Sequence, residues 1–305
     1  MYKNSNSNTL CVFANFFIDN EERLQRMKDS FFSFKNANPD EWRINIRGKL
    51  KTEAGNFLSK KLGDILHLNY IETKKGWFHD SYSFMRDVKS DFIFFWIEDH
   101  ICLVNPLPLR EILNEMTIYD ADLLLYSWFH LRTHDQFKMF PKIADGKHIQ
   151  VAKVDKISTS NFRDKKFSNY YIVSALSIFK KDFFFKILLS NKPYLKRWPK
   201  YLPFNFEKKI KDRVADVIHY AIPKYELFAV IDEGIDIPGY SLISRGQYPD
   251  RLTREQLKDI EFNAEISPWK LLRRRLLPKI IRLPLSRFNS IIKRIGYTIG
   301  FIIKF

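Results

Sequence analysis

Phe92-Ile93-Phe94-Phe95-Trp96-Ile97, followed at once by Glu98-Asp99-His100, is the stretch on which the reading of this chain turns. Six uncharged, mostly aromatic residues make a run that suits a strand buried on both faces and is too short for an ordinary helix. The abrupt change to three titratable residues marks the strand's end. Working back from it, residues 10–17 (LCVFANFF) read as an opening strand. A helix is expected over 20–34, with Leu24, Met27, Phe31 and Phe34 on one face. Asp19 is its expected cap, and Glu22 three residues on completes a capping-box pattern. Residues 42–46 read as a second strand, 52–62 as a helix stopped by Gly63, 65–70 as a third strand and 79–88 as a third helix. Strands alternating with helices at this spacing predict βαβ units and an α/β fold with a mainly parallel sheet flanked by helices. Ligands of such sheets lie at the C-terminal ends of the strands, which is where Glu98, Asp99 and His100 fall.

The second half is less regular. A helix is expected over 107–116, strands over 122–128, 170–179 and 227–231, a short helix from Lys181 and a longer one over 206–220. Residues 129–169 are polar and read as a variable loop region, and Pro238-Gly239-Tyr240-Ser241 as a turn.

With 45% hydrophobic and 16% aromatic residues in 305, the chain has the material for a packed core, which excludes disorder throughout. Two cysteines, Cys11 and Cys102, exclude a disulfide framework and a four-cysteine zinc site. No glycine-rich phosphate loop is present, which argues against P-loop and dinucleotide enzymes. Residues 1–9 are polar and lack the charged-then-apolar order of a secretory signal, so a cytoplasmic location is expected.

The net charge of +16 is unevenly spread. Ten Lys/Arg and no Asp/Glu lie from Ser267 onward, leaving +6 for everything before it. A domain-wide basic surface is not implied, and nucleic acid is disfavoured as a partner. The expected division is a domain over 1–265 and a basic amphipathic tail over 266–305. In the tail Leu285, Phe288, Ile292, Ile295, Ile299 and Ile302 recur at helical spacing, while Pro278 and Pro284 divide it into pieces. Its longest uncharged run falls far short of the roughly 20 residues of a spanning helix. An interfacial helix on the anionic inner face of a membrane is expected, with Trp269, Arg273, Arg274, Arg275, Lys279, Arg282, Lys293 and Arg294 at the surface. The competing reading is a helix docked on the protein's own core or in a homodimer.

Glu98-Asp99-His100 carries the sharpest chemistry. Carboxylate and imidazole ligands suit Mn²⁺, and carboxylates with waters suit Mg²⁺, either of which neutralises the diphosphate of an activated sugar. The plain alternative is a solvated turn that caps a strand.

Here a resemblance enters. Phe13-Ala14-Asn15-Phe16, then Asn20-Glu21-Glu22-Arg23-Leu24 and Ser30-Phe31, then Ser90-Asp91-Phe92-Ile93 leading to Glu98-Asp99-His100, resemble the N-terminal half of a family 2-type glycosyltransferase with the GT-A fold. The resemblance implies a Rossmann-like sheet, a nucleotide-sugar-binding half over 1–105 and an acceptor-binding half over 106–265. It implies donor contacts from Asn15, Arg47, Asp80 and Glu98, and a metal held by Glu98, Asp99 and His100. One departure stands out: the family's second strand usually ends in acidic residues that hold the base, whereas this chain has Ile46-Arg47-Gly48-Lys49, so Arg47 is expected on the donor phosphates instead. His79 and Asp80 begin a helix near the sheet edge, which puts either within reach of a donor, and the first reading of Asp80 is a helix cap. A general base is expected in the second half: Glu207 first, Asp212 second, Asp232 or Glu233 third.

The expected activity is an inverting, divalent-metal-dependent transfer of a sugar from a nucleotide-sugar to a membrane-associated acceptor, such as a lipid-linked glycan or lipopolysaccharide in polysaccharide biosynthesis. The alternatives are a peripheral membrane or nucleic-acid adaptor with a non-catalytic α/β domain, and a transferase of other activated groups.

Overall fold

The computed structural model describes residues 8–71, 77–127, 137–155, 158, 173–189, 215–232 and 241–248. Two units are distinguished, Met1–Arg251 and Leu252–Phe305. The second contains the whole expected amphipathic tail and lies outside the described residues, as do Glu207 and Asp212.

Three βα units build the first half. They comprise β1 (Leu10–Phe17), α1 (Glu21–Phe34), β2 (Glu41–Arg47), α2 (Lys51–Leu62), β3 (Leu66–Tyr70), α3 (Trp77–Met85) and β4 (Phe92–Trp96). Every residue of β1 and β4 is buried, as their unbroken apolar runs predict for strands covered on both faces. After β4 come β5 (His100–Cys102), α4 (Leu109–Ile118), β6 (Leu123–Leu125), β7 (Lys142–Asp145), β8 (Ile149–Asp155), β9 (Ser177–Lys180), α5 (Lys181–Leu189), β10 (Val217–Pro223) and β11 (Phe228–Val230).

Nine strands form one sheet in the order β3-β2-β1-β4-β9-β6-β10-β8-β7. β1 to β4 are parallel throughout, whereas β9 runs antiparallel to both β4 and β6, and β8 to both β10 and β7. The order reverses at β1: β2 and β3 lie to one side, and β4 with the second half to the other. A reversal of this kind opens a crevice beyond the C-terminal strand ends, because the flanking helices depart to opposite faces there.

Several local expectations change. Asn20, in extended conformation, is the cap of α1, and its side chain accepts from the Arg23 amide at 2.9 Å. Asp19 lies 3.4 Å from the Lys49 amide instead, and Glu22 pairs with Arg26 at 2.8 Å. The stretch expected as polar loop contains the β7–β8 hairpin, whose Ile149, Val151 and Val154 are buried. Residues 217–220, expected as the end of a helix, belong to strand β10. Ile218 and Tyr220 point inward there while Val217 and His219 are more exposed, a period of two that a helical reading does not produce.

Aromatic packing fixes α1 on the sheet. Phe34 stacks on Trp42 of β2 with centroids 5.6 Å apart, and Phe31 and Phe34 both meet Trp96 of β4. On the opposite face Phe184 of α5 meets Phe13 of β1 edge-on at 5.5 Å. Two serines of α1 then set the position of β5. Ser30 Oγ accepts from Trp96 Nε1 at 2.8 Å and donates to the His100 carbonyl, while Ser33 Oγ accepts from the Cys102 amide at 2.9 Å. Both cysteines are free and buried.

Ser30→Ala leaves a buried indole N–H and a buried carbonyl without this partner. It is expected to lower unfolding free energy by about 1–3 kcal/mol. Urea denaturation of wild type and variant measures the loss, and an unchanged midpoint contradicts the account of how β5 is held.

Candidate functional site

The strand reversal brings the ends of β1, β2 and β4 together. β1 ends in Phe17, β2 ends in Arg47, and Glu98 follows β4. The turn after β2 is constrained by its backbone. Ile18 donates its amide to the Arg47 carbonyl at 2.8 Å and accepts from the Leu50 amide at 3.0 Å. Gly48 sits at φ +109°, and a Cβ there would lie 2.2 Å from the Ile18 carbonyl oxygen. Only glycine fits that turn, which is how Arg47 is held beside Phe17.

Two guanidinium groups share the Phe17 ring. Arg47 Cζ lies 4.8 Å from the ring centroid and Arg23 Cζ 5.3 Å, both within cation–π range. Arg23 also donates to the Phe17 carbonyl at 3.1 Å and approaches Glu98 Oε1 at 4.0 Å. Arg23 was not among the residues expected to act. It occupies the first turn of α1, where the helix dipole favours acidic side chains, and that misplaced cation is the signal available in the sequence.

Electrostatics at this cluster follow from burial and like charge. Burial, and then the charge of Arg23, push the Arg47 guanidinium down to about 10, with Glu98 opposing. Burial first and Asp99 second push the Glu98 carboxyl above its ordinary value, with Arg23 opposing.

Asn15 faces α3. Its amide donates to Ser81 Oγ at 3.2 Å, its carbonyl accepts from Asn45 at 2.8 Å, and Asn45 accepts in turn from Asn69 at 2.8 Å. The three asparagines are in register across β1, β2 and β3. Asn15 is thus a buried link in a polar ladder two residues behind Phe17 and Arg47 along their strands. Asp80 is buried in the first turn of α3, 3.3 Å from His79 Nδ1.

The triplet does not present three ligands to the crevice. His100 is 4% exposed, and its Nδ1 lies 2.7 Å from Asp99 Oδ1. Its ring is perpendicular to Tyr126. His100 Nε2 is buried without a hydrogen-bond partner, the one atom here that a cation would satisfy. One nitrogen is not a coordination sphere, and among the described residues no three His, Cys, Asp or Glu side chains converge as a metal-binding group. The expected Mn²⁺ or Mg²⁺ site at Glu98, Asp99 and His100 therefore does not fit the side chains described.

A carboxylate from the second half does arrive. β11 pairs antiparallel with β5, placing Val230 opposite His100, and the Ile231 amide donates to the Asp99 carbonyl at 2.7 Å. Asp232 follows, with Oδ2 3.9 Å from Arg26 Nη2. Of the candidate bases, Asp232 lies within the described residues, whereas Glu207, Asp212 and Glu233 lie outside them.

No family model and no curated protein matches the chain. Among solved structures, S. aureus TarS 1-349 in complex with UDP-GlcNAc is similar at 13% identity, TM-score 0.46, over 85% of this chain and 68% of that one. S. aureus TarS 1-349 is similar at 11% identity and TM-score 0.45, over 72% of this chain, which spans 59% of that structure's length. UDP-glucose pyrophosphorylase complexed with UDP-glucose is similar at 12% identity and TM-score 0.38, over 72% of this chain and 91% of that one.

The Glu98 shift has a consequence for stability. The folded chain holds the Glu98 proton more tightly than the unfolded chain does. This proton-linked contribution is fully present below the ordinary carboxyl value of 4.5 and is lost as pH rises through the raised folded value. Glu98→Gln, which cannot ionise, is expected to melt above wild type at neutral pH, with the gap closing in acid. Melting curves across pH check this, and a pH-independent gap contradicts it.

Proposed function

We propose that this chain is a glycosyltransferase that uses a nucleoside-diphosphate sugar, with the diphosphate bound where the order of strands reverses. One observation carries the reading: Arg23 of α1 and Arg47 of β2 both lie over the Phe17 ring at that reversal, with Glu98 4.0 Å from Arg23. Guanidinium forks match phosphate oxygens bidentately, and both cations lie within cation–π range of Phe17. Glu98, largely enclosed and beside Arg23, is suited to accept a hydrogen bond from a ribose or sugar hydroxyl.

Chemistry in this reading proceeds by attack of an acceptor hydroxyl on the anomeric carbon. The bond from that carbon to the β-phosphate oxygen breaks, and the developing charge on the diphosphate is taken up by Arg23 and Arg47. The acceptor's proton goes to a carboxylate of the second half, for which Asp232 is our choice, since it is held beside the triplet by the β5–β11 pairing. An inverting outcome follows if that base works on the face opposite the leaving group.

The acceptor belongs to the same proposal. Ten cations without an acid among bulky apolar residues favour a tail that rests on anionic lipid, and hence a membrane-associated glycan or lipid-linked acceptor. Among the described residues no helix is long and apolar enough to cross a membrane.

Purified protein incubated with a panel of nucleotide-sugars is expected to release nucleoside diphosphate from one or a few donors. Asp232→Asn is expected to slow transfer to an acceptor about a hundredfold while leaving donor affinity within a few fold. Absence of any release across the panel contradicts the reading, and an undiminished rate in Asp232→Asn contradicts the choice of base.

Flotation with vesicles tests the tail separately. Full-length protein is expected to float with phosphatidylserine-containing vesicles and to be released by high salt, and protein ending at residue 251 is expected to stay at the bottom. Equal flotation of both contradicts this assignment.

A further inference from the structure

We propose that the outer face of α1 and α2 rests on an anionic lipid bilayer and orients the folded domain on it. The inference rests on the tail assignment above and adds a second lipid contact, made by the domain itself.

Residue spacing builds this face. Lys28, Phe32 and Lys35 stand at i, i+4 and i+7, which aligns them on one side of α1 and its C-cap. Phe57 and Lys61 stand four apart on α2. The two stripes meet where Phe32 and Phe57 pack edge-on, with centroids 5.7 Å apart. Each lysine lies within cation–π range of one of those rings. Lys28 Nζ is 5.7 Å from the Phe57 centroid, and Lys35 and Lys61 Nζ are 5.0 and 5.5 Å from that of Phe32. Phe57 reaches inward to the buried Phe31 at 5.6 Å, whereas Phe32 is 44% exposed.

Packing within the fold does not account for this arrangement. Among the described residues, Lys28, Lys35 and Lys61 form no ion pair. Other surface lysines have carboxylates: Lys147 meets Glu111 at 2.7 Å, and Lys224 meets Asp145 at 2.9 Å. The acid on this side of α1, Asp29, accepts from Gln25 at 2.8 Å and from the Tyr248 hydroxyl. A helix C-terminus favours cations, which suits Lys35 and Lys61 but not Lys28, in the middle of α1. The apolar surface also extends beyond the two rings. Phe32 lines an open hollow of about 680 Å³ together with Ile101, Leu242 and Leu103, itself 40% exposed.

Charge decides what covers the face. A second copy of the chain, at net +16, brings like charge, and so does the tail, with its ten cations and no acid. The complement is an anion, and the exposed Phe32 and Leu103 need an apolar phase beside it. A bilayer interface supplies both, with headgroup phosphates for the lysines and acyl chains for the apolar side chains. Three lysines and one exposed ring make a weak anchor alone. The face therefore orients, and holds more firmly, a chain that the tail brings to the surface.

Titration of the full chain with phosphatidylserine-containing vesicles tests the proposal. Lys28→Gln/Lys35→Gln/Lys61→Gln is expected to weaken binding about a hundredfold, and the corresponding triple arginine variant to stay within about threefold of wild type. Phe32→Ser is expected to weaken it about fivefold or more. An environment-sensitive fluorophore on Phe32→Cys is expected to shift to the blue on vesicles. One on Ile118→Cys, at a site 73% exposed at the end of α4, is expected to stay unshifted. Melting temperatures establish that each variant is folded. A triple glutamine variant that binds vesicles as wild type does, or a probe at residue 32 that stays in water, overturns this inference and leaves the tail assignment standing. So does a triple variant that loses affinity for RNA or heparin alone, which assigns the face to a different polyanion. If the wild-type chain binds no anionic vesicle, the tail assignment fails and this inference with it.

Discussion

Two guanidinium groups lie within cation–π range of one phenylalanine ring, and much of the first half of the chain is arranged so that they meet. Phe17 ends β1, Arg47 ends β2, and Arg23 begins the helix that connects them. The meeting point is set by strand order. With β2 and β3 on one side of β1 and β4 on the other, the ends of three parallel strands come together at the reversal. In the function proposed above, a bound diphosphate offsets the mutual repulsion of this pair.

The helix α1 links this pair to the core. Its inner face is pinned by Phe31 and Phe34 against Trp42 and Trp96, and its serines clasp β5 through Trp96, His100 and Cys102. Its first turn supplies Arg23, and Arg26, one turn on, meets Asp232 from the second half. One helix therefore touches the proposed donor site, the triplet and the carboxylate proposed as base. A shift of α1 along the sheet would move all three together, so the packing of its aromatic face is part of the chemistry.

Much of this could be read from residue order alone, and what could not has definable causes. The parallel core was legible because β1 and β4 are unbroken apolar runs and the intervening helices have clear stripes. Placing Glu98 at the strand edge followed from the change of character after Ile97. The cap of α1 was misplaced by one residue because Asp19 and Asn20 are both good caps and only backbone geometry chooses Asn20. The β7–β8 hairpin escaped notice because β7 is four residues long and largely exposed, leaving only the alternation of β8 as a sign. Arg23 looked like one surface charge among many, and Phe17 like one more core residue. Their conjunction depends on register between β1 and β2, a non-local fact. His100 suggested a ligand by type, yet the pairing of β5 with β11 encloses its ring.

The central claim is a location: phosphate groups lie against Arg23 and Arg47 at the reversal of strand order. The most direct measurement is a crystal structure of the chain with a nucleoside diphosphate or its sugar conjugate bound, grown in the presence of Mg²⁺. The account predicts phosphate oxygens within hydrogen-bonding distance of both guanidinium groups, above the Phe17 ring. A diphosphate bound elsewhere, with the two arginines turned to solvent or to other carboxylates, would contradict it.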